Sequence, residues 1–235
     1  MEFIRYNRQF AITKNPQWLP GWAIHRSLNR FIHISSGLEL TQSDDLRISL
    51  IGYAIDPENP RTTNKEIVER LASDTLNYAS RLGGRWVLLC EFADREFVLH
   101  DPCALRQVFY SDSFCASQAS TAANFYGIEI DPEAKAGFLD TEFAKTNDEY
   151  WWPGDSTQYK GVRCLLPNHY LDLKTFKPHR YGLKPVIKGK MDAAAHASPD
   201  VTANEYMQVI PESVRSMVSD MYAELMKKPE TGSVQ

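Results

Sequence analysis

The residues that could serve as nucleophile, base or metal ligand are few and widely spaced. Four cysteines, Cys90, Cys103, Cys115 and Cys164, show no C-x-x-C pattern, and none of the six histidines stands at zinc-ligand spacing from any of them. Cys90 closes the apolar run Trp86-Val87-Leu88-Leu89, and the other three lie in or beside strand-like segments, so buried reduced thiols are expected rather than thiolates. His100 precedes Asp101-Pro102, which suggests a catalytic dyad on paper. A histidine at a strand end beside a turn packs or caps instead, and that is the expectation for His100. A Gly-rich phosphate cradle is absent from the sequence, and neither a cofactor nor a metal is expected.

The elements that must position these residues belong to one core. The chain has 235 residues, 43% hydrophobic and 11% aromatic, enough apolar area for a packed interior. A net charge of −4 without a Lys/Arg stripe argues against nucleic acid, and the absence of a long apolar run or leader-like start argues for a cytoplasmic protein that is not held in a membrane. Short edge strands and loops fit the first forty residues. Strand character appears at Arg30–Ile34 and Leu46–Ile55, the second ended by Asp56-Pro57-Glu58-Asn59-Pro60. Thr63 and Glu66 stand at capping-box spacing, and Ile67, Val68, Leu71, Thr75, Tyr78, Ala79 and Leu82 predict one helix stopped by Gly83-Gly84. Two hairpins follow, Trp86–Phe92 with Phe97–His100 and Val108–Ser111 with Phe114–Ser117, the first with a strand apolar enough to be covered on both faces. Helices are predicted over Gln118–Tyr126, closed by Gly127, and over Phe138–Lys145, and a strand over His169–Leu173. The pattern is α+β in layers.

Residues 183–204 are rich in Lys, Ala, Ser and Pro without periodicity and read as a linker after a domain of residues 1–182. Beyond it, Val214, Met217, Val218, Met221, Tyr222 and Leu225 form an apolar stripe on a predicted helix within residues 205–235, whose last residues should be mobile.

Three segments together resemble the amino-terminal domain of class B asparagine synthetases and their relatives. Gly84-Arg85-Trp86-Val87-Leu88-Leu89 is similar to the family's "G-R/K-F-A" strand. Asp101-Pro102 with Arg106-Gln107-Val108-Phe109-Tyr110 looks like its "D-x-x-G-x-x-P-L-Y-Y" turn and strand. Thr157-Gln158-Tyr159-Lys160-Gly161-Val162, leading to Leu165-Leu166-Pro167-Asn168-His169-Tyr170-Leu171, looks like "T-x-Y-x-G-I-x-x-L-x-P-G-x-x-L". The resemblance runs from about residue 46 to 181. It implies a class II glutamine amidotransferase domain with the Ntn-hydrolase αββα sandwich of two mainly antiparallel sheets. Within it, Asp101, Arg106 and Asn168 are expected to form turns and strand ends rather than to catalyse.

The same resemblance implies that glutamine hydrolysis is lost. The family's reaction uses an amino-terminal cysteine thiolate, and here Glu2 follows Met1. Its oxyanion donors come from the Asn-Gly of "N-G-E-I-Y-N", matched by Leu50-Ile51-Gly52-Tyr53-Ala54-Ile55, so Gly52 remains while Ile51 replaces the Asn and Tyr53 the acidic amine ligand. Removing one such donor costs about 3 to 4 kcal/mol of transition-state stabilisation. The second acidic ligand, from "S-D-x-E", is matched by Asn64.

In the family an ATP-pyrophosphatase domain with an "S-G-G-x-D-S" loop follows, and the chain ends at Gln235, where that loop would begin. The expected role is therefore a non-catalytic scaffold or partner-binding module of an asparagine-synthetase-like ATP-dependent amide ligase. The alternatives are an amidohydrolase supplying ammonia, and a small-molecule binding module in the former glutamine cleft. The expected partner is a synthetase domain on another chain or a second copy, docked through Val214, Met217, Met221 and Leu225.

Overall fold

The computed structural model describes residues 7–146 and 152–181, all within the unit Met1–Gly182. The expectations for Glu2, for the linker at 183–204 and for the apolar stripe from Val214 to Leu225 lie outside the described residues. Along the chain come β1 (Phe10–Thr13), β2 (Ala23–Arg26), β3 (Phe31–Ile34), β4 (Leu40–Gln42) and β5 (Ile48–Ile55), then α1 (Asn64–Leu71) and α2 (Thr75–Ala79). Next are β6 (Gly83–Glu91), β7 (Glu96–His100), β8 (Phe109–Tyr110) and β9 (Phe114–Ala116), followed by α3 (Ala119–Tyr126), α4 (Pro132–Leu139) and α5 (Glu142–Thr146). The described part closes with β10 (Arg163–Cys164), β11 (His169–Asp172) and β12 (Lys177–Arg180).

These strands form two six-stranded antiparallel sheets, ordered β10-β8-β9-β1-β3-β2 and β12-β11-β7-β6-β5-β4. The second sheet is covered on both faces, and alternation along its strands sorts the side chains. Leu50, Trp86, Leu88, Cys90, Phe97 and Leu99 pack with Ile67, Val68 and Leu71 of α1 and Tyr78 of α2. Their neighbours Ile51, Val87, Leu89, Val98 and Leu171 face Phe10, Ile12, Ile32 and Ile34 of the first sheet. On the far side of that sheet Ala11, Phe114 and Ala116 meet Ala122 of α3. The result is an α+β sandwich of two sheets with helices on its outer faces.

The single helix expected from Thr63 to Leu82 is two helices. The capping box forms as expected, with Thr63 Oγ1 accepting from the Glu66 amide and the Glu66 carboxylate accepting from the Thr63 amide at 2.7 Å. The break comes at Ser73-Asp74, where Ser73 Oγ donates to the Arg70 carbonyl at 2.9 Å and Thr75 Oγ1 donates to that of Leu71 at 2.7 Å. Short polar side chains compete there with the backbone ladder. The apolar face runs unbroken across the interruption, which is why periodicity alone reads as one helix.

Gly83-Gly84 does not stop a helix in a loop but opens β6, paired with Ile55 and Ala54. Gly84 adopts φ +105°, and a Cβ there would lie 2.4 Å from the Tyr53 carbonyl oxygen. The helix expected over Phe138–Lys145 is instead α4 and α5, parted at Asp140-Thr141, where Thr141 Oγ1 donates to the Phe138 carbonyl at 2.7 Å. Asp131 caps α4 ahead of Pro132, a start that the sequence reading missed. Among the described residues no helix is long and apolar enough to cross a membrane.

Candidate functional site

The face of β5 that looks toward the first sheet carries Ile51 and, two residues on, Tyr53. Ile51 is fully buried between the sheets, whereas Tyr53 is 48% exposed and lines a cleft of about 1430 Å³. The layer between the sheets thus opens to solvent at Tyr53. Between these two residues Gly52 has φ +101°, and a Cβ would stand 2.3 Å from the Arg85 carbonyl oxygen and 3.0 Å from Arg106 Nε. The Arg85 carbonyl and this φ require glycine, and the Arg106 guanidinium lies across the strand pair beside it.

The loop after β7 presents that guanidinium. The buried Asp101 carboxylate accepts from the amides of Leu105 and Arg106, both at 2.9 Å, while the Asp101 carbonyl accepts from Ala104 at 2.8 Å and holds it in the left-handed region. Arg106 then donates from Nε to the Arg85 carbonyl at 3.2 Å and from Nη1 to the Arg8 carbonyl at 3.3 Å. Arg85 answers by donating from Nε and Nη2 to the Leu105 carbonyl at 3.2 and 3.0 Å. Burial, then the nearby charge of Arg85, pulls the Arg106 pKa below its ordinary value. Arg8, Arg85 and Arg106 all line the cleft, and none makes an ion pair among the described residues.

On another part of the cleft, Trp152 stacks on the buried Phe138 of α4 with ring centroids 4.4 Å apart and planes 21° from parallel. Cys103 and Cys164 also reach the lining. Burial pushes the Cys164 thiol up to about 11, and it donates to the Leu165 carbonyl at 3.7 Å. Cys115, packed between the sheets, is pushed up to about 12 for the same reason, and burial raises Cys90 as well. These three thiols are protonated at neutral pH and are poor nucleophiles. The His100 ring nitrogens lie 2.8 Å from the Asp101 carbonyl and 3.1 Å from that of Leu165, so the buried ring sits between two backbone segments. Among the described residues no three His, Cys, Asp or Glu side chains come together to hold a metal ion.

Of the site and motif residues carried over with the resemblance, Tyr53 and Arg106 reach the cleft directly, and Gly52 lies under Arg106. Asn64 is engaged with the strand: its Oδ1 accepts from the Ala54 amide at 3.1 Å and its Nδ2 donates to the Gly52 carbonyl at 3.2 Å. Asp101 shapes the loop, and Asn168, at φ 59°, turns the chain into β11 while its carbonyl accepts from Tyr181 at 2.9 Å. Sequence reasoning gave Arg8 and Trp152 no site role and took Arg85 only as part of a strand motif, because nothing in their spacing joins positions 8, 85 and 152.

Neither the family models nor the curated proteins compared with this chain gave a match.

Proposed function

We propose that this chain is a degenerate class II glutamine amidotransferase-like domain of the Ntn-hydrolase αββα kind, acting as a non-catalytic scaffold or partner-binding module of an asparagine-synthetase-like amide ligase. The family assignment rests on the motif resemblance. The observation that carries the non-catalytic reading is the state of β5 and its neighbours at the cleft. Ile51 is part of the core, Tyr53 presents a phenol, and both polar ends of the Asn64 amide are bonded to the backbone of Gly52 and Ala54. A glutamine side chain held there would lack the Asn oxyanion donor and both acidic ligands of its amine. The partner under this reading is an ATP-pyrophosphatase domain or a second copy of this chain.

The test is ammonia release from glutamine by the full chain, with Glu2→Cys alongside. Neither protein should exceed a heat-treated control, since a thiol at position 2 restores neither the donors nor the amine ligands. Turnover by the unaltered chain, or covalent capture of a glutamine-analogue electrophile by Glu2→Cys, would refute the reading.

A second reading is favoured by the size and lining of the cleft: a small-molecule binding module occupying the former glutamine site. A space of about 1430 Å³ with Tyr53, Phe138 and Trp152 on its walls has room for a ligand larger than glutamine. Stabilisation of the chain by a ligand in a thermal-shift screen tests this reading.

A further inference from the structure

Among the described residues, every charged side chain lining the cleft is a cation: Arg8, Arg85, Arg106 and Lys135. This holds in a chain whose formal net charge is −4. The Arg85 and Arg106 side chains are held by backbone carbonyls rather than by carboxylates, through the bonds from Arg106 to residues 85 and 8 and from Arg85 to residue 105, and Arg8 lines the same cleft. The Asp101 carboxylate near Arg106 is already used by two backbone amides. A guanidinium has five N–H donors, and these bonds occupy two on Arg85 and two on Arg106. The Arg8 side chain donates no hydrogen bond among the described residues and rests beside Gly37, with Cγ and Nε 3.6 and 3.9 Å from where a glycine Cβ would stand. Like charges brought together repel, and beside burial the charges of Arg85 and Arg8 lower the Arg106 pKa, with the Asp101 carboxylate offsetting them in part. An anion shared by the three relieves that repulsion and accepts the unused donors in the fork geometry suited to carboxylate and phosphate.

We infer that the cleft binds a small organic anion, with a carboxylate or phosphate held by Arg8, Arg85 and Arg106 and an aromatic or flat apolar body placed against the Trp152–Phe138 shelf. Gly52 lies under this site, with Arg106 Nε 3.0 Å from where its Cβ would stand. The inference deepens the small-molecule reading of the cleft and rests on it. It is independent of whether glutamine is hydrolysed.

Calorimetric titration of the full chain at low salt tests it with four probes: phenyl phosphate, phenylacetate, inorganic phosphate and benzyl alcohol. The expected result is saturable one-to-one binding of an aromatic anion, the tighter of the two identifying the head group as phosphate or carboxylate. Arg8→Gln and Arg85→Gln should each weaken it about tenfold or more, the loss expected for a hydrogen bond to a charged group. Raising the salt should weaken it too. Arg8→Gln is the variant least able to disturb the fold, since the Arg8 side chain makes no hydrogen bond among the described residues. Equal affinity for inorganic phosphate and phenyl phosphate would overturn the aromatic shelf. Unchanged affinity in both arginine variants would overturn the anion site. Binding of benzyl alcohol without either aromatic anion would overturn the anion site and leave the small-molecule reading standing, whereas no binding by any probe would overturn both.

Discussion

His33 on β3 is fully buried, with its Nε2 2.9 Å from the Thr13 hydroxyl and no partner for Nδ1 among the described residues. Burial lowers its pKa from 6.5 to about 4, because the imidazolium would lose its water and gain no carboxylate. The sign follows directly. The folded pKa is depressed below the unfolded value, so the stability this ring contributes is fully present above pH 6.5 and is lost as the pH falls toward 4. From those two values the loss is about 2 kcal/mol at pH 5 and about 3 kcal/mol at pH 4. Urea unfolding followed by tryptophan fluorescence, at pH 7 and pH 5, on the unaltered chain and on His33→Gln, isolates the effect. Glutamine keeps an amide to bond Thr13 and cannot titrate. The unaltered chain should lose about 2 kcal/mol more than the variant between the two pH values. Carboxyls with depressed pKa, such as Asp56 and Asp172, lose their contribution at lower pH, and Glu91, whose pKa burial raises, acts in the opposite direction. All three are present in both proteins and cancel in the difference. Equal losses in the two proteins would refute the placement of His33 as a buried neutral ring.

Two further outcomes test the frame around the cleft. Gly52→Ala puts a Cβ 2.3 Å from the Arg85 carbonyl at a φ of +101°, and should cost about 2 kcal/mol or more, read as a fall in Tm of about 5 °C or more by calorimetry. A Tm unchanged within error would show that β5 and β6 do not approach as described. Trp86→Ala removes the largest fully buried side chain among the described residues, at the junction of β6 with α1 and α2, and should cost about 3 to 5 kcal/mol in urea unfolding, whereas a loss below about 1 kcal/mol would contradict its place in the core.

What the sequence determined by itself was everything carried by short-range pattern. The capping box of Thr63 and Glu66, the left-handed stop at Gly127, the hairpin of β6 and β7 and the double-sided burial of β6 are each written within about ten residues, where periodicity and turn chemistry act. The α+β class followed from their alternation. Strands β1, β2, β4, β10 and β12 are two to four residues long, too short to show a period, and are defined by the partners they pair with. The cleft was beyond sequence reading for the same kind of reason. Tyr53 and Arg106 were legible as motif positions, but the carbonyls that gather Arg106 belong to residues 8 and 85, and the wall that completes the cleft comes from Phe138 and Trp152. Chain connectivity does not bring these positions together. Packing two sheets face to face does, and that packing places three guanidiniums along one cleft where the linear sequence shows three isolated arginines.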